Sequence, residues 1–377
     1  PFHGGGIATF TKDLAEALAA LGNIVHVITQ SSDIDRVDLE HGVWVHRVRS
    51  REHPQMCEGL VLKIPQHIWN WSASALCEAA RIATHRSIDV IEAPVWDCEG
   101  VAFVLDGRWP VVTSLQTTLH FWLDSRPGFR NDASWMKDFG TPMLNIERWV
   151  MQRSDAIRSI SQSIRTEIET AYEFQFDPNA VVLVPLGLHP VASSINKERI
   201  ISPKVSVLFV GRLEFRKGID ILLAAIPIVL SRFPDVEFHL LGDDTLEIGP
   251  GLPTYRDEFF KSETGTLHGR KVHFEGRVTN ERLTEAYSSC DIFVAPSRFE
   301  SFGLVFLEAM RHARPVIGCR AGGVPEIVND QVNGILVEPN NASELANAII
   351  RLIEDKALRE KLGREGLETF QKKFTAR

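Results

Sequence analysis

The chain of 377 residues lacks close cysteine pairs: Cys57, Cys77, Cys98, Cys290 and Cys319 are odd in number and scattered. That spacing excludes a dense disulfide framework and a cysteine-based zinc site, and it fits a reducing cytosol. Long apolar runs are also missing, so no segment reads as a membrane span. Clustered Lys and Arg are absent and the formal net charge is −8. Affinity for a phosphate backbone depends on such clusters, which excludes a general nucleic-acid binder and leaves any anionic ligand to be held locally. The sequence starts at Pro1 without Met, and no strand precedes the glycines Gly4, Gly5 and Gly6. The first strand of the fold is therefore expected to lie outside this sequence. The helical run from Asp355 reaches Arg377 without an evident cap, so the last element is expected to be cut short.

What is present is an ordinary globular composition, 44% hydrophobic and 24% charged, at a length that favours two cores over one. From Val205 onward, short runs rich in Val, Ile and Phe alternate with stretches of helical period, the pattern of parallel βαβ units. The predicted strands are Val205–Val210, Val236–Leu241, Val272–Phe274, Ile292–Ala295, Pro315–Gly318 and Gly334–Val337. Between the first two, Ile221, Leu222, Ala225, Ile226, Val229, Leu230 and Phe233 mark one helical face. The first half repeats the scheme less cleanly, with strands at Ile24–Thr29, Val43–Val48, Asp89–Ile91, Val111–Leu115, Ala156–Ile160 and Val181–Val184, and helices near Phe10–Leu21 and Ile146–Arg153. Two doubly wound α/β domains are expected, 1–195 and 196–377, joined through Gly187–Ser202, with a ligand cleft at the C-terminal ends of the strands.

The stretch Pro296–Glu308 follows a strand, turns through Gly303 and enters a helix. The amides near Phe302, Gly303, Leu304 and Val305 then lie in a first helical turn, where N–H groups have no internal partner and suit an anion. Glu300 precedes this helix and Glu308 sits within it. A carboxylate accepts two bonds from a vicinal diol, so the two residues suit two polyol patches of one ligand. A plainer reading makes Glu300 a helix cap and Glu308 a solvated helix residue. Arg212 and Lys217, in the loop after Val205–Val210, offer two cations to an anionic group. Gly4–Gly6 opens a helix and permits close backbone approach, without the full dinucleotide fingerprint. After the strand near Ile91, the loop carrying Trp96 and Glu99 is a further candidate, for packing or for acceptor contact.

Glu300, the Ser-Phe-Gly turn and Glu308 together resemble the E-x7-E motif of retaining glycosyltransferases of the GT-B fold, family 4. Gly211–Gly218, Gly276-Arg277-Val278, Gly322–Val328 and Asn333–Val337 match the same family in its order. The resemblance implies two Rossmann-like domains facing a cleft, with the donor held by the second. It also implies transfer of a hexosyl unit from a GDP-, UDP- or ADP-linked sugar to a glycan, lipid-linked or small-molecule hydroxyl. Arg212 and Lys217 would stabilise the leaving diphosphate, so no metal or other cofactor is required; Asp243-Asp244 is a weak exception. Gly5, Gly6, Gly187, Arg277 and Val278 are carried over as donor contacts. Two departures stand out: Gln116 occupies the place of a family His, with His120 four residues on, and His189 follows the Pro185-Leu-Gly187 turn. Gln cannot take up a proton. This keeps open a catalytically weak nucleotide-sugar-binding partner protein, beside a nucleotide-sugar epimerase on the same scaffold. A role in polysaccharide or glycoconjugate synthesis is implied, in the cytoplasm with at most weak peripheral contact at the inner membrane face, since Lys12 is the first helix's only basic residue.

Overall fold

The alternation of apolar runs and helical stretches is realised in a computed structural model that describes residues 6–55, 62–190, 204–249 and 251–376. The chain divides into two compact units, Pro1–Pro185 and Leu186–Arg377. The division falls earlier than the expected boundary after residue 195. Leu188 N–H donates to Phe374 O and Ala376 N–H to Leu188 O, so the segment after Pro185 is tied to the C-terminal end of the second unit.

In the first unit, β1 (Val25–Ser31), β2 (Arg36–Glu40) and β3 (Val43–Arg49) form a sheet in which β1 runs parallel and β2 antiparallel to β3. β2 escaped the sequence reading. Its Arg-Val-Asp-Leu-Glu alternation is largely exposed, and its reversal rests on His41 and Gly42, both at positive φ. A second sheet contains β4 (Ile91–Pro94), β5 (Val111–Leu115), β6 (Ala156–Ser159) and β7 (Val181–Leu183), all parallel. The helix Gln66–Ala83, also unforeseen, buries Ile68, Trp69 and Ala73 in a core with Cys98, Val101 and Ile146.

The second unit is one parallel sheet of β8 (Ser206–Val210), β9 (Glu237–Leu241), β10 (Val272–Gly276), β11 (Ile292–Ala295), β12 (Val316–Cys319) and β13 (Ile335–Val337), in the order β10-β9-β8-β11-β12-β13. Every residue of β11 and β12 is buried, as expected of central strands covered on both faces. The helix Ile219–Arg232 buries Leu222, Ala225, Ile226 and Val229 at helical spacing. Pro315 precedes β12 rather than opening it: proline has no N–H for the ladder, and its carbonyl accepts from Phe293 N–H. The final helix, Lys356–Lys373, packs on β12 and on the helix Leu304–Met310 of the same unit.

Candidate active site

The strand order of the second unit reverses between β8 and β11, and in open parallel sheets ligands gather beyond the C-terminal ends of strands at such a point. The two loops leaving these strands, Gly211–Gly218 and Pro296–Gly303, meet there. Their contact is so close that a side chain at Gly218 would not fit: its φ is +66°, and a Cβ would lie 1.9 Å from Pro296 O. Arg298 locks the pair further, donating N–H to Arg216 O and binding Asp220 through two guanidinium nitrogens at 2.7 and 2.6 Å.

Lys217 Nζ donates to Glu300 Oε1 at 2.6 Å, and Ser297 Oγ donates to the same oxygen at 2.8 Å. Arg216 approaches Glu300 Oε2 at 3.9 Å and binds Glu214, which Arg212 also contacts at 3.1 Å. Glu300 is buried and Lys217 nearly so. Burial by itself raises the Glu300 carboxyl, but the charges of Lys217 and Arg216, with bonds from Lys217 and Ser297, hold it below its ordinary value. Burial, then Arg216, lowers Lys217 against the pull of Glu300. Three cations thus face two carboxylates, and the local excess is positive in a protein of net negative charge. That excess is what a buried or half-buried anion needs. Glu300 is no helix cap, because its carboxylate is spent on Lys217 and Ser297, and Gly303, at φ +109°, precedes the helix instead.

Glu308 is half-buried and accepts from the hydroxyl of fully buried Tyr287 at 2.7 Å, so it is not a merely solvated helix residue. Phe302 is buried with its ring against Phe374, while Leu304 and Val305 remain partly accessible in the first helical turn. Gly322, at φ +54°, approaches so closely that a Cβ would lie 2.2 Å from Glu300 O, and Gly323 N–H bonds that carbonyl at 2.8 Å. The Gly322-Gly323 pair therefore braces Glu300.

Other expected residues fall differently. Exposed Arg277 binds buried Asp243 at 2.6 Å, beside half-buried Val278. Asp243 is pulled down to about 2: bonds from Thr245 and Arg277 outweigh the burial that opposes them. Asp244 is engaged by Arg256. Gly187 is crowded by the backbone of Phe374–Ala376, and its lack of a side chain serves that contact. Gly5 lies outside the described residues, and Gly6 starts the helix Gly6–Ala20.

In the first unit, Gln116 is buried at the end of β5, its Oε1 without a hydrogen-bond partner among the described residues, and half-buried His120 lies 3.7 Å from Asp124. Burial, then nearby Arg130, lowers His120 against the pull of Asp124. The loop between them is pinned by residues the sequence reading passed over. Buried Glu147 accepts from Leu119 N–H at 2.9 Å and from the Tyr172 hydroxyl. Burial pushes the Glu147 carboxyl up to about 8. After β4, Asp97 and Cys98 stand side by side at positive φ, strain that tends to collect at functional sites. Half-buried Glu99 next to them is raised to about 7 by burial and Asp97, against a bond from Trp71. Arg216 and Glu214 had a signal in their place inside Gly211–Gly218, and Ser297 and Arg298 in theirs inside Pro296–Glu308, whereas Tyr287, Glu147 and Tyr172 converge from distant segments.

Two parallel-sheet α/β units, with a cation–carboxylate cluster at the switch point of the second, define a GT-B transferase. A family model described as glycosyl transferase 4-like domain matches residues 5–187, and one described as glycosyl transferases group 1 matches residues 204–355. The chain belongs to the group 1 glycosyltransferases, family 4. It is 29% identical to an uncharacterized glycosyltransferase of Methanocaldococcus jannaschii, over 94% of this chain and 87% of the relative. It is 27% identical to a D-inositol 3-phosphate glycosyltransferase of Nocardioides sp., over 97% and 81%. Among solved structures, a sucrose-phosphate synthase from Thermosynechococcus elongatus is similar at a TM-score of 0.74 and 25% identity, covering 98% of this chain and 90% of that one. Among the described residues no helix is long and apolar enough to cross a membrane.

Proposed function

We propose that this glycosyltransferase moves a hexosyl unit from a nucleotide diphosphate sugar to a hydroxyl acceptor with retention of anomeric configuration and without a metal ion. The carrying observation is the cluster of Arg212, Arg216 and Lys217 around Glu214 and Glu300, an excess of positive charge at the switch point. As the bond between the sugar and the diphosphate breaks, negative charge grows on the leaving group. Fixed cations then stabilise the transition state more than the ground state, the work a metal ion would otherwise do. Asp243 and Asp244, the adjacent acidic pair after β9, are each held by an arginine, which supports the metal-free reading.

In this reading Glu300, fixed by Lys217 and Ser297, orients the sugar hydroxyls, and Glu308, fixed by Tyr287, accepts from the ribose diol of the nucleotide. The first-turn amides of Leu304 and Val305 face the donor phosphates. Gln116 cannot exchange a proton, so it serves as a hydrogen-bond partner, and the departing phosphate takes the acceptor's proton. The acceptor class stays open among glycan, lipid-linked and small-molecule hydroxyls, and polysaccharide or glycoconjugate synthesis is the process that fits.

The orphaned Oε1 of Gln116 favours one second reading, a nucleotide-sugar-binding partner protein with little turnover. Incubation with GDP-, UDP- and ADP-hexoses and a panel of hydroxyl acceptors in excess EDTA separates the two. Glycoside of the donor's own anomeric configuration, seen by NMR, supports transfer. Tight donor binding with neither transfer nor donor hydrolysis supports the partner protein, and inverted product or turnover only with added metal overturns the proposal.

A further inference from the structure

Away from the switch point, the parallel pair β9 and β10 carries a group of side chains that sugar transfer does not use. Side chains two apart on a strand share a face, so Glu237 and His239 of β9 stand together, and the register sets His273 of β10 directly beside His239. The two imidazoles stack with centroids 4.8 Å apart. One donor atom from each of Glu237, His239 and His273 lies within 4.8 Å of the others.

The surroundings are those of ligands and their supports. Glu275, two residues beyond His273 on the same face, bonds His239 Nδ1 at 2.9 Å. Arg282 fixes Glu275 in turn, through Nε at 2.9 Å and a terminal nitrogen at 2.8 Å. A carboxylate behind one ring nitrogen sets the tautomer that leaves the other nitrogen's lone pair for a metal. His273 Nε2 is buried without a hydrogen-bond partner among the described residues, and Glu237 Oε2 lies 3.9 Å from it. Lys204 occupies the opposite oxygen, Oε1, at 3.0 Å. A buried, unpartnered ring nitrogen beside a carboxylate oxygen is a vacant donor pair, and an apolar strand packing would not need it.

We propose that Glu237, His239 and His273 bind one zinc-class divalent ion, with Glu275 and Arg282 as its outer support. Two imidazoles and one carboxylate are a ligand set for a borderline ion such as Zn2+, with water in the remaining position, and offer too few oxygens for Ca2+ or Mg2+. The sheet fixes the three backbones, His239 and His273 by the β9–β10 ladder and Glu237 by its pairing with β8, which leaves side-chain rotation to bring the donor atoms together on the ion. The ion ties the edge strand β10 to its neighbour and takes no part in transfer.

The test is titration of the chelator-treated full chain with ZnCl2 by calorimetry, beside CaCl2 and MgCl2, on the natural protein and on His239→Ala, His273→Ala, Glu237→Gln and His85→Ala. One zinc site per chain is expected. It should weaken ~10-fold or more in each of the first three variants, remain unchanged in His85→Ala, and be absent for Ca2+ and Mg2+. Should His239→Ala fail to fold by circular dichroism, His273→Ala, at a half-exposed edge position, carries the result. A folded natural protein that binds no zinc, or a His273→Ala variant that binds zinc as the natural protein does, overturns the site. Co2+ offers a second readout: tetrahedral visible bands that vanish in His273→Ala support it, and bands that persist there count against it.

Discussion

Lys217 and Glu300 lie 83 residues apart in the chain, yet Lys217 Nζ donates to Glu300 Oε1 at 2.6 Å across the two loops of the switch point. Each holds the other's charge in a place where neither is well solvated. Removing one partner therefore differs in kind from removing both.

Glu300→Gln leaves buried Lys217 without its bonded carboxylate and Arg216 with Glu214 alone, and should cost ~3 kcal/mol of stability. The double variant Glu300→Gln with Lys217→Met should regain at least half of that loss, because a buried pair replaced as a pair costs little. Transfer should fall ~100-fold or more in both. Denaturant midpoints and initial rates check the two halves separately, and stability recovered without activity is the expected signature.

Tyr287→Phe removes one hydroxyl from a fully buried ring and with it the bond to Glu308. Stability should fall by ~1 kcal/mol, as for a typical hydrogen bond. If Glu308 holds the nucleotide as proposed, steady-state kinetics should show the donor KM rising several-fold with kcat nearly kept.

Gly218→Ala should prevent folding or lower the melting temperature drastically, since its Cβ would overlap Pro296 O and its φ is +66°. Gly107→Ala has a similar φ of +68° but open space around the new methyl. That variant should lose only ~1 kcal/mol, the cost of the backbone conformation. Thermal melts of the two variants separate loop contact from backbone strain.

Glu147 gives a pH dependence of definite sign. Its folded-state value is raised to about 8 from an ordinary 4.5, so the folded chain keeps a proton there that the unfolded chain releases. Stability from this group is fully present below the unfolded value and declines as pH rises through the folded one, by an order of a few kcal/mol. Glu300 has the opposite sense: its lowered value contributes stability above the unfolded value that is lost as pH falls. Glu147→Gln should flatten the decline of chemical stability between pH 5 and 8, measured by urea titration at several pH values.

The second unit was the more legible half because β8 and β11 to β13 are well-covered strands, and burial on two faces writes itself as unbroken apolar runs. β2, with Arg36, Val37, Leu39 and Glu40 all exposed, carries no such mark. The Glu300–Glu308 spacing and the loop Gly211–Gly218 announced the switch-point cluster. The brace from Tyr287 and the Glu147–Tyr172 pair beneath the Gln116 loop arise from packing between remote segments, which neither composition nor spacing encodes. At Gly187 the missing side chain also serves the approach to Phe374–Ala376, a contact from the end of the chain that spacing does not encode.

The proposed transfer requires a diphosphate donor held by the cations and carboxylates of the switch point without metal. Calorimetric titration of the full chain with GDP-, UDP- and ADP-hexoses in excess EDTA tests this most directly, alongside Lys217→Ala and Glu308→Ala. One nucleotide class should bind the natural protein and lose at least ~10-fold in affinity in both folded variants. Failure of every donor to bind the folded natural protein, or equal binding in both variants, would contradict it.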